Sequence, residues 1–94
     1  MARNLSGLLR YNEVIMLLDV VSVNPKADFM LELIFANGEQ RSFDMKPLLA
    51  IKPWIRVATP QVFNLARVDY GTVVWPGEID IAPETLYDLS TPLR

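Results

Sequence analysis

Cysteine and histidine are both missing from this 94-residue chain, and the two absences remove most of the common site chemistry. Without cysteine there is no disulfide, no thiolate metal site, no iron–sulfur cluster and no sulfur nucleophile. Without histidine, the usual general base, the usual zinc ligand and every Ser-His or Cys-His pairing are gone as well. Glycine is scarce, with four residues in all, and no glycine-rich stretch offers a cradle for phosphate. Positive charge is also short. Nine Lys and Arg face eleven Asp and Glu, for a net charge of −2, and no two cations are adjacent. Together with a pI near 4.9 this speaks against direct nucleic-acid binding, because such domains run basic. Long apolar runs are absent too. Residues 14–18 are apolar but Asp19 ends them, far short of the roughly 18 residues of a membrane span. A cytoplasmic domain with no membrane attachment is expected.

What the chain does contain is apolar bulk. Half of the residues, 51%, are hydrophobic, and a chain this short buries only about 60–70% of its unfolded surface. Apolar surface is therefore expected to be left over for another chain, either a second copy in a homodimer or a small protein partner.

The pattern along the chain reads as α+β: a small, mostly antiparallel sheet of about five strands with two or three short helices. Residues 1–12 read as an N-terminal arm and 13–94 as a single domain. Residues 13–24 are rich in Val and Ile and stop at Asn24-Pro25, a strand signature. In 29–35 the odd positions Phe29, Leu31, Leu33 and Phe35 are large and apolar while Glu32 points away, the alternation of a half-buried strand. Asn37-Gly38 then signals a hairpin. A three-residue loop, Ala36-Asn37-Gly38, sets Leu31 opposite Phe43 and Leu33 opposite Arg41, which keeps the apolar side chains on one face. The same reasoning applied to Asp69-Tyr70-Gly71 pairs Leu65 with Trp75 and Arg67 with Val73. Between the hairpins, Asp44 is placed to cap one or two helical turns that end at Lys52-Pro53. Thr59-Pro60 repeats the cap, and Pro83 opens a last helix with Glu84 in its first turn.

The string Phe35-Ala36-Asn37-Gly38-Glu39, the pair Phe43-Asp44 ahead of Leu48-Leu49, Trp75-Pro76, Asp80-Ile81-Ala82-Pro83 and Leu86-Tyr87 together resemble a family of small bacterial proteins, domain of unknown function 2442. The resemblance runs over residues 18–90. It implies a compact α+β domain, sometimes fused to a helix-turn-helix segment that this chain lacks. It also implies a gene neighbourhood like that of toxin–antitoxin pairs. It carries no activity, cofactor or catalytic residue.

No catalytic, cofactor-binding or metal-binding residue is assigned. The acids Glu78, Asp80, Glu84 and Asp88 form the densest charged cluster, and Glu78, Asp80 and Glu84 are the residues a small enzyme or ligand-binding domain would use. Turn and helix-start chemistry accounts for the same acids. Arg41 and Arg67, one on each hairpin, suit a shared anion pocket or a sheet margin with packed stems and solvated heads. For interaction the candidates are Trp54, Trp75, Met30 and Ile34. The Trp residues are the type enriched at interface hot spots, although Trp75 also suits core packing. Met30 and Ile34, with Val20, Ala66 and Val74, are expected on the sheet face that no helix remains to cover.

Overall fold

A computed structural model of the protein describes residues 18–93. The arm read at residues 1–12, and the beginning of the strand read at 13–24, lie outside them. The α+β class holds, with seven antiparallel strands and few short helices. The strands divide between two sheets. The first, in the order β1-β2-β3-β7, is built from Val20–Lys26 (β1), Met30–Phe35 (β2), Gln40–Asp44 (β3) and Thr91–Pro92 (β7). The second, β4-β5-β6, is built from Arg67–Asp69 (β4), Thr72–Trp75 (β5) and Ile79–Ile81 (β6). Short helices Pro60–Phe63 (α1) and Pro83–Leu89 (α2) follow Thr59 and Ala82.

The β2–β3 hairpin has the register that its alternation requires: Leu31 faces Phe43 and Leu33 faces Arg41. Three residues form the loop, and Gly38 takes φ +89° while its N–H donates to the Phe35 carbonyl at 2.8 Å. The left-handed position is what makes glycine necessary there.

The β4–β5 hairpin departs from the expected register. Asp69 pairs with Thr72, Val68 with Val73 and Arg67 with Val74, so the loop is the two residues Tyr70 and Gly71, at φ +51° and +75°. Paired residues share a face, and Val73 is fully buried. The expected pairing would have put Arg67 against that core position; a shift of one residue brings Val68 there instead. Leu65 lies before the strand and is 55% exposed.

A second departure occurs in β1. Val20 pairs with Phe35 and Ser22 with Ile34, leaving Val21 as a bulge. The extra residue reverses the alternation, so Val20 is buried in the core, not on the outer face, and Val21 is exposed instead. Pro25 is tolerated because β1 is an edge strand, and the strand continues through it to Lys26. Phe29 is not in a strand. It belongs to the β1–β2 turn and has φ +59°.

Val20, Leu31, Leu33, Phe35 and Phe43 from the first sheet and Val73, Trp75, Ile79 and Ile81 from the second form one buried cluster with Val57, Phe63 and Leu86. The sheets meet where the Val20 N–H donates to the Gly71 carbonyl at 2.8 Å.

Candidate functional site

The segment joining β3 to α1 begins at Asp44, whose carboxylate accepts the Lys46 backbone N–H at 2.9 Å as its capping role requires. That bond, ahead of the Lys46 ammonium, holds the Asp44 carboxyl below its usual range. The turn it caps is a single 3-10 turn, Lys46–Leu48. A second 3-10 turn, Trp54–Val57, buries only Val57. Between them the chain stays on the surface. Trp54 is half-buried and its indole N–H donates to the Asp80 carbonyl at 3.0 Å, so it straps this segment to the edge strand β6. On either side of it, Ile51 and Ile55 are each 49% exposed. The Ile55 N–H donates to the Ile51 carbonyl at 2.9 Å, which sets the two side chains one turn apart.

Charge distinguishes the same segment. From Met45 to Val68 there is no acidic residue, while Lys46, Lys52, Arg56 and Arg67 fall within it. Lys46 is engaged by Asp28 and Asp44, at 3.1 and 3.0 Å, and Arg67 by Asp69 at 3.5 Å. Lys52 and Arg56 are exposed and have no ion-pair partner among the described residues.

The other candidates fall in different places. Trp75 is 1% exposed, with its indole N–H on the Phe63 carbonyl at 3.0 Å and its ring tilted against Phe63; it packs the core and presents nothing to a partner. Ile34 is 37% exposed and Met30 half-buried. Their neighbours on the outer face of the first sheet are polar: Ser22, Asn24 and Lys26 on β1, Glu32 on β2, Gln40 and Ser42 on β3. Val20 has turned inward, and Ala66 and Val74 belong with the second sheet. The apolar face expected from even-numbered positions is therefore not continuous.

Among the acids, Glu78 and Asp80 line an open cavity of about 380 Å³ together with Arg67 and Asp69, whereas Glu84 stands apart on α2. No group of three or more carboxylates able to hold a metal ion occurs among the described residues. Arg41 and Arg67 sit in different sheets and share no pocket.

Arg41 is held in a closed network. Its Nε donates to Ser90 Oγ at 2.6 Å, Nη2 to the Ser90 carbonyl at 2.9 Å and Nη1 to Glu39 at 2.7 Å. The guanidinium also lies 4.3 Å over the Tyr87 ring. Tyr87 donates its hydroxyl to Glu39 at 2.7 Å. That bond, with Arg41 second, holds the Glu39 carboxyl below its usual range, and its counterpart raises the Tyr87 phenol. Every partner is a residue of the fold, so the cluster fastens the β2–β3 hairpin to the end of α2.

A groove of about 710 Å³ also opens between the β1–β2 turn and α1, lined by Asn24, Lys26, Asp28, Phe29, Phe63 and Asn64 among others. Sequence reasoning passed over both this groove and the Ile51–Arg56 turn. The second had a signal, an apolar run whose only charges are positive; the first depends on Asp28 and Phe29 adopting consecutive positive φ, which no composition rule foretells.

The fold and surface define a small antiparallel α+β domain without an assembled catalytic group among the described residues. Residues 20–92 match the model of the family described as protein of unknown function (DUF2442), and the chain belongs to that family. Comparison with curated proteins and with solved structures gives no match. No helix among the described residues is long and apolar enough to cross a membrane.

Proposed function

We propose that this domain is a non-enzymatic, cytoplasmic protein-interaction module that engages a small protein partner, with homodimerisation as the other form of association. The observation that carries the reading is the exposed pair Ile51 and Ile55 beside Trp54. Two β-branched side chains kept half in water on a tied-down turn gain burial only against another surface. The family resemblance supplies the setting, a pair of adjacent genes in the manner of toxin and antitoxin. A ligand-binding or enzymatic role for Glu78, Asp80 and Glu84 has less support, since Glu84 lies outside the cavity that the other two line.

The test is co-expression with the protein encoded by the neighbouring gene, followed by native mass spectrometry. The expected result is a complex heavier than the 10.7 kDa chain, with an interface of roughly 1,200–2,000 Å² in total. A mass of 10.7 kDa alone, with and without the neighbour and at micromolar concentration, overturns the reading.

A further inference from the structure

We infer that the Ile51–Arg56 turn is a docking surface for an acidic, apolar segment of a partner protein; this rests on the interaction reading above and names the chemistry of what docks. The geometry consists of two side-by-side pairs. Ile51 and Ile55 are separated by one hydrogen-bonded turn, and Lys52 and Arg56 have the same four-residue spacing. Residues so spaced present neighbouring side chains on one surface. The result is an apolar stripe flanked by two cations.

Three observations select the occupant. The protein as a whole is acidic, at −2, yet this turn carries only positive charge. Lys52 and Arg56 lack ion pairs among the described residues, whereas Arg41, Lys46 and Arg67 all have them. Arg56 is held in place, with Nη2 lying 3.1 Å from where a Cβ on Gly77 would stand, so its charge is positioned rather than free to sweep the solvent. Carboxylates on a partner satisfy both cations, and its apolar side chains cover Ile51 and Ile55. A phosphate backbone would satisfy the cations only and leave the isoleucines wet. The spacing suits a helix presenting an acid and an apolar residue at successive i, i+4 positions.

The test selects ligands from a library of random 12-residue peptides displayed on phage, with the full chain as bait and its K52E/R56E variant as counter-bait. The exposure of both side chains lets the variant fold, which its amide spectrum verifies. Ile51→Ser is the second variant. Enriched peptides are expected to combine net negative charge with apolar residues and to shift the amides of residues 51–56. They should lose about tenfold in affinity to K52E/R56E, through two attractions turned to repulsions, and weaken as salt rises from 0.05 to about 0.5 M. Neutral or basic winners, no enrichment, equal affinity for the variant, or preferential binding of a single-stranded oligonucleotide overturn the inference. So do concentration-dependent shifts of residues 51–56 without peptide, which would assign the surface to a second copy. A complex with the neighbouring gene's protein that tolerates K52E/R56E leaves the interaction reading standing and removes this one.

Discussion

Replacing Arg41 by Met keeps the aliphatic stem and removes the guanidinium, which makes it a direct measure of the network at the end of α2. Two of its bonds go to Ser90, which is only 6% exposed, and hydrogen bonds to a charged donor contribute about 1–2 kcal/mol each when their acceptors are left buried. The stack on Tyr87 adds about 0.5–1 kcal/mol. The Glu39 contact is left out of the sum because that side chain is 38% exposed and solvent screens such a pair. The loss comes to about 2–4 kcal/mol, a large share of the roughly 5–15 kcal/mol that holds a small domain together. In melting temperature that is on the order of 10–25 °C for a chain of this size. Urea denaturation followed by tryptophan fluorescence reads it well, since Trp75 is buried, and an unchanged m-value shows that the unfolded state is unaffected. Arg41→Lys retains the charge but cannot reproduce two bonds to Ser90 and the planar stack together, so it should recover less than half of the loss. A midpoint for Arg41→Met that places stability within about 0.5 kcal/mol of the parent refutes the reasoning and means that water replaces the guanidinium freely.

Two further expectations come from the same coordinates. Glu39 should titrate below the usual carboxyl range in side-chain NMR, and Tyr87→Phe should bring it back toward that range, because the Tyr87 hydroxyl is the leading cause of the shift. A depressed folded-state value means that the stabilisation is complete above the unfolded carboxyl pKa, near 4.3, and is lost as pH falls through the folded value; an unaltered Glu39 midpoint in Tyr87→Phe contradicts the assignment. Gly71→Ala should destabilise more than Gly38→Ala. Both need positive φ, at about 1 kcal/mol, but a Cβ at Gly71 would stand 2.8 Å from the Asp19 carboxylate while none lies within 4 Å at Gly38. Equal losses, or an excess that persists in an Asp19→Ala background, rule out that contact as the cause.

What could be read before folding was whatever depends on neighbours within a few residues. The Phe29 to Phe35 alternation, the three-residue loop ending at Gly38, the Asp44 and Thr59 caps and the helix opening at Pro83 all rest on short-range sterics and hydrogen bonds, and they recur in the structure. So did the role of Trp75 as core, the duller of its two readings.

Long-range packing decided the rest. The β4–β5 register differs by one residue from the expected one because burial of Val73 selects Val68 over Arg67 as its partner, a preference that exists only once the second sheet lies on the core. The bulge at Val21 turns Val20 inward because Phe35 is there to meet it, and with that turn the apolar outer face expected for a dimer breaks into polar rows. Arg41, read as a margin residue with a solvated head, finds Ser90 and Tyr87 nearly fifty positions later in the chain. Composition and alternation determined the α+β class and most of the core list, since both depend only on which side chains avoid water. Which surface remained apolar, and which cations remained unpaired on it, depended on contacts between residues far apart in sequence, and those exist only in the folded chain.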